Sequence, residues 1–188
     1  MPASAPVIGQ GRIEIYMGCM FSSKTTELIR HAKIYKCMGK SILVINHAFD
    51  DRYTDDDVLM THDKSAFPCK RTKTLIDIDT TGLDAIFVNE GQFFPDLVEA
   101  CSLWADKKNI HVFVCGLDGD SKRGVFGSLL SLIPIADNIH KLHACCMMCK
   151  DGTLAPFTHR LTTEADQISI GSDNYIAVCR KHYLDLSK

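Results

Sequence analysis

A near-match to a phosphate-binding loop, GCMFSSKTT at residues 18–26, constrains this chain more than any other feature. The usual pattern is a glycine, four residues, a second glycine, a lysine and a serine or threonine. The chain supplies Gly18 and the final pair Lys24 and Thr25, but Ser23 replaces the second glycine. Such a loop binds phosphate through inward-pointing backbone N–H groups, between a strand and a helix. A strand-to-helix turn capped by a lysine is the alternative interpretation.

The residues around this loop have the periodicities that it requires. Residues 12–17, RIEIYM, alternate like a strand, and apolar residues recur at helical spacing from Leu28 to Met38, where Gly39 is a natural stop. Further strands and helices are predicted at residues 41–46, 84–90 and 109–119 (strands), 93–105 (a helix with Pro95 at its first position) and 127–137 (a short helix stopped by Pro134). Strands that alternate with helices predict an α/β fold, a parallel sheet with flanking helices.

Two polar residues, Asn89 and Glu90, end the third predicted strand. In a parallel sheet this strand end would lie beside the phosphate loop. Phosphoryl transfer needs an acidic group for the metal and a base or positioner for the nucleophile. Glu90 is a candidate general base, and Asn89 occupies the usual place of a metal-side aspartate without bringing its charge. An exposed helix-capping acid is the alternative interpretation of Glu90.

Two short-spaced ligand pairs lie near the end of the chain. Cys146 and Cys149 form C-x-x-C, Cys179 and His182 form C-x-x-H, and 29 residues separate the pairs. Paired ligands joined by a loop are typical of a closed, tetrahedral structural zinc site. A metal-free cysteine cluster, or a register that uses Cys145, are the alternatives.

Composition limits the other classes of function. The chain has 188 residues, nine cysteines and a net charge of −2. The charge argues against direct nucleic-acid binding, and we expect neither a signal peptide nor a membrane span. Dispersed, odd-numbered cysteines indicate a reducing, cytoplasmic location. We expect a flexible N-terminus at residues 1–10, a nucleotide-binding domain at 11–141 and a zinc-binding lobe with a substrate lasso at 142–188.

Several stretches together resemble one known family. GCMFSSKTTELIR, NEGQFFPDLVE, LDGDSKRGVFG and VCRKHY, with the paired metal ligands, are similar to thymidine kinases of the cytosolic, zinc-containing type, over residues 11–185. This group includes animal cytosolic, bacterial and poxviral enzymes. The resemblance implies a nucleotide-kinase fold with a zinc lobe and a lasso over thymidine. It also implies Mg²⁺-dependent transfer of the ATP γ-phosphate to the thymidine 5′-OH and, usually, a homotetramer.

The resemblance also implies roles for individual residues. Glu90 would be the base that takes the 5′-OH proton. The ATP-binding set would be Gly18, Cys19, Met20, Phe21, Ser22, Ser23, Lys24, Thr25, Asp50, Arg52 and Asn89. The thymidine-binding set would be Met20, Phe93, Leu117, Ser121, Phe126 and Tyr175, with the lasso residues Gln167, Ile168, Ser169, Ile170 and Gly171. The structural zinc ion would bind to Cys146, Cys149, Cys179 and His182.

The chain departs from the family pattern near the expected ligands. Ser23 replaces a glycine, Asn89 an aspartate and Ser121 an aromatic residue, while the lasso IGSDNY is one residue short. His182 replaces a cysteine, which zinc tolerates. Two main hypotheses follow: an active thymidine kinase, of reduced rate or altered base preference, or a weakened or inactive domain that binds nucleotide or a partner kinase domain. A generic phosphate-loop hydrolase or a zinc-ribbon nucleic-acid binder is a more distant alternative.

Overall fold

A parallel six-stranded sheet forms the centre of the protein. The computed structural model describes residues 10–48, 58–60, 66–162 and 172–188. In chain order the α-helices and strands of these residues are β1 Arg12–Gly18, α1 Lys24–Cys37, β2 Ile42–His47, β3 Val58–Met60, β4 Ala66–Pro68, β5 Lys70–Thr72, β6 Ala85–Val88, α2 Leu97–Ser102, β7 His111–Gly116, β8 Asn138–Leu142, β9 Ala144–Cys145, β10 Leu154–Ala155, β11 Phe157–Arg160, β12 Tyr175–Val178 and α3 Arg180–Leu186.

The strand order of the central sheet is β5-β2-β6-β7-β1-β8, and every pairing in it is parallel. Three antiparallel two-stranded sheets, β3 with β4, β9 with β10 and β11 with β12, complete the described strands. The predicted α/β class with a parallel sheet is therefore confirmed. Strand β6 is buried along its whole length, because helices cover both faces of a parallel sheet.

Helix α1 follows the phosphate loop, as the sequence predicts. Its apolar stripe packs on one face of the sheet, where Leu28 and Ala32 are fully buried. The helix ends at the predicted place, because Gly39 takes a left-handed conformation with φ of 71°. The N–H of Lys40 then donates to the Tyr35 carbonyl at 3.0 Å, and that of Gly39 to the Lys36 carbonyl at 3.1 Å. These two bonds form a Schellman stop.

The opposite face of the sheet is covered by α2 and the turn of π-helix that continues it, Leu103–Lys107. Leu97, Cys101 and Trp104 of the predicted stripe are fully buried there. The predicted position of Pro95 is wrong. Pro95 lies in a turn before the helix, and Asp96 is the N-cap, since its carbonyl accepts the N–H of Ala100 at 3.0 Å.

The prediction for Pro134 is also wrong in detail. Pro134 lies inside a 3₁₀ helix, Leu129–Ile135, and does not end an α-helix. A 3₁₀ helix tolerates it because the neighbouring bonds, from Ser131 N–H to Ser128 and from Ala136 N–H to Ile133, do not use the proline nitrogen.

A third cluster of buried residues belongs to the short strands near the end of the chain. It contains Ala144, Cys146, Ala155, Val178 and Tyr183, together with Cys19 of the phosphate loop. Cys19 of the phosphate loop thus packs into the core of the region that contains the predicted metal ligands. The division at residues 141 and 142 stays a prediction. The charged stretch 50–57 lies outside the described residues. None of the helices in the described part of the chain has the length and apolarity needed to cross a membrane.

Candidate active site

The phosphate loop begins with a glycine that its surroundings require. A Cβ atom at Gly18 would lie 2.2 Å from the carbonyl oxygen of Leu142, at the end of the neighbouring strand β8. No side chain fits at that distance. The first glycine of the motif is therefore explained by the close approach of two backbones.

Ser23, the residue that departs from the motif, has φ of 63° and ψ of 22°, a left-handed conformation. This conformation costs a residue with a side chain about 1–2 kcal/mol relative to glycine. The side chain is exposed and makes no capping hydrogen bond, so among the described residues no side-chain cap offsets the cost. Phe21, two residues earlier, has φ of 64°. The backbone at position 23 thus keeps the left-handed conformation that favours glycine, although the second glycine of the motif is missing.

Lys24 lies folded over the loop that precedes it. Its side chain is buried, and its Nζ donates to the carbonyl oxygen of Cys19 at 2.6 Å. The Ser22 hydroxyl donates to the same carbonyl at 2.8 Å. The Lys24 ammonium is therefore held against the backbone of the loop. In this motif the lysine is the residue that contacts phosphate.

Asn89 lies at the centre of a buried hydrogen-bond network. Its Oδ1 accepts the hydroxyl of Thr25 at 3.1 Å and the thiol of Cys115 at 3.0 Å. Its Nδ2 donates to Oδ1 of Asn46 at 2.9 Å, and the backbone N–H of His47 donates to the same Asn46 atom at 3.1 Å. Strand β7 separates β6 from β1, yet the structure brings Asn89 to the phosphate loop as predicted.

Glu90 follows directly in a left-handed conformation, with φ of 54°. One carboxylate oxygen, Oε2, accepts a hydrogen bond from Nε2 of Gln92 at 2.6 Å. The other end of this amide, Oε1, accepts the backbone N–H of Leu117 at 3.0 Å. Glu90 is thus the N-cap residue of a 3₁₀ helix, Gly91–Phe93, as the alternative interpretation has it, but its side chain is half-buried, makes no capping bond and is held by Gln92 instead.

Some of the predicted thymidine residues lie near one another. The rings of Phe93 and Phe126 meet edge to face with centroids 5.5 Å apart. Leu117 is joined to Gln92, next to Phe93, by the bond just described. Tyr175, another predicted thymidine residue, contacts Arg160: its hydroxyl accepts a hydrogen bond from Nη2 of Arg160 at 2.7 Å.

Ser121 and the phosphate loop both contact the region that contains the predicted metal ligands. The Ser121 carbonyl accepts the hydroxyl of Tyr183, on α3, at 2.8 Å. The backbone N–H of Met20 donates to Oγ1 of Thr158 at 3.0 Å, and the thiol of Cys19 donates to the Ala155 carbonyl at 3.1 Å. The loop is thus held from two sides, by the sheet and by the small strands.

The remaining predicted ATP and thymidine residues lie outside the described residues. They are Asp50, Arg52, Gln167, Ile168, Ser169, Ile170 and Gly171.

The predicted metal ligands come together in one cluster. The Sγ atoms of Cys146, Cys149 and Cys179 and a ring nitrogen of His182 all lie within 4.8 Å of one another. Nδ1 of His182 is 3.5, 3.4 and 3.3 Å from the three sulfurs in that order, and the Cys149 and Cys179 sulfurs are 3.9 Å apart. Tetrahedral zinc with these donors requires separations of about 3.5–3.8 Å. The donor set and its geometry therefore fit zinc.

The thiols of Cys146 and Cys149 in this cluster have different pKa values. Burial works to raise the pKa of Cys146, but hydrogen bonds from backbone N–H groups, Cys179 first among them, outweigh it and lower the pKa to about 6. Burial and the neighbouring Cys146 thiol raise the pKa of Cys149 to about 11. Backbone N–H groups aimed at a sulfur stabilise a thiolate, which is the form that binds a metal.

Sequence reasoning did not find three residues of this site. Gln92 lies in the quoted stretch NEGQFFPDLVE, but without a partner its role could not be assigned. Asn46 lies near the end of β2 and Thr158 lies in β11. Their partners Asn89 and Met20 come from distant parts of the chain, so only the folded structure identifies them. The signal for Asn46 was its place at the carboxyl end of a parallel strand, where ligands bind in such sheets.

Comparison with known proteins agrees with this geometry. A family model described as thymidine kinase matches residues 11–183. Thymidine kinase a of Arabidopsis thaliana is 41% identical over 184 residues, which cover 94% of this chain and 76% of the plant protein. The thymidine kinase of monkeypox virus is 40% identical over 178 residues, which cover 93% of this chain and 98% of the viral protein. The chain belongs to the thymidine kinase family.

Proposed function

We infer that this protein is a thymidine kinase that transfers the γ-phosphate of ATP to the 5′-OH of thymidine. The observation that carries the inference is the family match over residues 11–183, on a chain in which Lys24, Thr25 and Glu90 keep the expected identities. Lys24 lies on the phosphate loop, and Asn89 links Thr25 to the strand end that bears Glu90.

In this reaction Glu90 accepts the proton of the thymidine 5′-OH, and that oxygen attacks the γ-phosphorus as the bond to ADP breaks. The loop N–H groups and Lys24 stabilise the charge on the phosphates. The hydroxyl of Thr25 and the amide oxygen of Asn89 are oxygen donors of the kind Mg²⁺ prefers, so this pair would hold the ion or its water. The ion supplies charge neutralisation at the phosphates.

Zinc has a structural role in this proposal. Four protein ligands close a tetrahedral site and leave no open position for substrate. The expected stoichiometry is one zinc ion per chain. The proposal extends to a homotetramer in the cytoplasm. None of the nine cysteines forms a disulfide bond, which is consistent with a reducing location.

The second candidate is a weakened or inactive member of the family that binds nucleotide or a partner kinase domain. The neutral Asn89 favours it, because the metal side of the site then lacks the charge of an aspartate. Loss of one preorganised electrostatic contact costs on the order of 10²–10³ in turnover.

One experiment separates the two candidates. ATP-dependent phosphorylation of thymidine is measured for the parent chain, for Glu90→Gln and for the double variant Asn89→Asp with Ser23→Gly. Activity in the parent that Glu90→Gln removes supports the kinase with Glu90 as its base. An inactive parent whose double variant is active supports the weakened domain instead. The double variant also tests whether the two departures act on rate at all.

A further inference from the structure

We propose that Gln92 is a positioning residue that holds the Glu90 carboxylate ready to accept the substrate proton. This inference rests on the proposed role of Glu90 as the base. Gln92 is 4% exposed, and both ends of its side-chain amide are used.

The orientation of this amide follows from its partners. The backbone N–H of Leu117 can only donate, so the atom 3.0 Å from it must be the amide oxygen of Gln92. The amide nitrogen therefore faces Glu90, whose Oε2 lies 2.6 Å away. A short N–H···O bond to a carboxylate is among the stronger hydrogen bonds of a protein.

Two glycines make room for Gln92. A Cβ atom at Gly116 would lie 2.4 Å from the amide oxygen of Gln92, and one at Gly127 would lie 1.9 Å from its backbone oxygen. Gly127 also has φ of 58°, which disfavours other residues. At position 116 or 127, any residue larger than glycine would therefore occupy space that Gln92 now fills.

The backbone of Glu90 adds a reason for such an anchor. Its φ of 54° is unfavourable for a residue with a side chain, by about 1–2 kcal/mol. Strain of this kind persists where the surrounding structure holds the residue in place. The bond from Gln92 fixes the carboxylate, and the N–H of Phe93 donates to the Glu90 carbonyl at 3.1 Å.

The consequence for catalysis is twofold. A donor on one carboxylate oxygen stabilises the ionised form, which is the form that accepts a proton. It also fixes the direction of the carboxylate, and through Leu117 it couples that direction to a residue of the predicted thymidine pocket. A base held in this way contributes to kcat more than to binding.

The test compares Gln92→Met and Gln92→Glu with the parent. Gln92→Met has similar length but no donor. Gln92→Glu keeps an acceptor for the Leu117 N–H and, in its ionised form, has no donor for Glu90. Ser128→Ala is the matched control, because it removes a 3.0 Å bond to the nearby Phe94 carbonyl and leaves Glu90 untouched. Thermal unfolding gives the folded fraction of each variant, and turnover is then expressed per folded molecule.

Both Gln92 variants are expected to lower kcat about 10- to 100-fold, a part of the total effect of general-base catalysis. The KM for thymidine stays within about threefold, and the acidic limb of the kcat–pH profile moves to higher pH, further for Gln92→Glu because it adds a second carboxyl group. Ser128→Ala keeps the parent profile.

Two results would overturn different parts of the argument. If Gln92→Met and Gln92→Glu keep the acidic limb of the parent, Gln92 has only a structural role, whatever happens to kcat. If Glu90→Gln retains the parent turnover, the base itself is wrongly assigned, and the failure lies with the proposed function rather than with Gln92.

Discussion

Replacement of Ser23 by glycine should make this protein more stable. The serine has φ of 63°, its side chain is exposed and it makes no capping hydrogen bond, so the change removes strain without removing a contact. Relief of the left-handed conformation is worth about 1–2 kcal/mol. The greater freedom of glycine in the unfolded chain subtracts roughly 0.5–1 kcal/mol. Taken at the centre of each range, the two effects predict a net gain of about 0.75 kcal/mol in the free energy of unfolding.

The assay is equilibrium urea unfolding with thermal unfolding beside it. For a chain of this length the gain corresponds to a rise of about 1–4 °C in Tm. Protein and zinc concentrations are held constant, since association and metal binding both shift apparent stability. Thr26→Gly is the matched control: Thr26 is exposed in the first turn of α1, where glycine should lower stability by about 0.5 kcal/mol.

The two glycine variants should therefore shift stability in opposite directions. A decrease for Ser23→Gly, or no change at all, would refute the reasoning. It would mean that the serine side chain contributes an interaction that compensates for the conformation of its backbone.

Three further predictions concern other parts of the molecule. Asn89→Asp should lower the free energy of unfolding by about 1–3 kcal/mol in urea unfolding, because a carboxylate cannot donate to the Asn46 oxygen that Nδ2 now satisfies; unchanged stability would contradict the network. His182→Ala should reduce bound zinc, measured by elemental analysis, well below one ion per chain, whereas His182→Cys should retain it; a fully loaded alanine variant would exclude His182 as a ligand. The pKa of Asp84 is lowered, first by the backbone N–H of Ser41, so its carboxylate stabilises the fold at neutral pH and loses this effect as pH falls through the lowered pKa. Asp84→Asn should therefore reduce stability at pH 7 by less than about 1 kcal/mol, given its exposure, and converge with the parent in acid; a constant difference across pH would contradict this.

The structure gives a local explanation for Asn89, one of the departures from the family pattern. Asn89 does not leave a gap beside the phosphate loop, because its amide is matched at both ends by Thr25, Cys115 and Asn46. An aspartate at this position would need a donor at position 46. The neutral amide is thus part of a consistent local arrangement, and its effect on turnover has to be measured against that arrangement.

Local patterns in the sequence were sufficient for β1, for α1 and for the metal ligands. Alternation predicts β1, helical spacing predicts α1, and Gly39 predicts its end, because each depends on residues a few positions apart. The spacing of the two ligand pairs predicts the cluster at Cys146 and His182 for a similar reason, since a metal brings its own geometry.

Only the tertiary structure decided what faces the candidate base and the loop. The contact of Asn46 with Asn89 and that of Gln92 with Leu117 join residues far apart in the chain, and sequence spacing does not pair them. The left-handed backbone at Ser23 is suggested only by the glycine that the motif places there, because a serine normally avoids this conformation and the surrounding fold holds it in place. The sequence by itself determined the chemistry available to this protein, and long-range packing decided which of those groups meet.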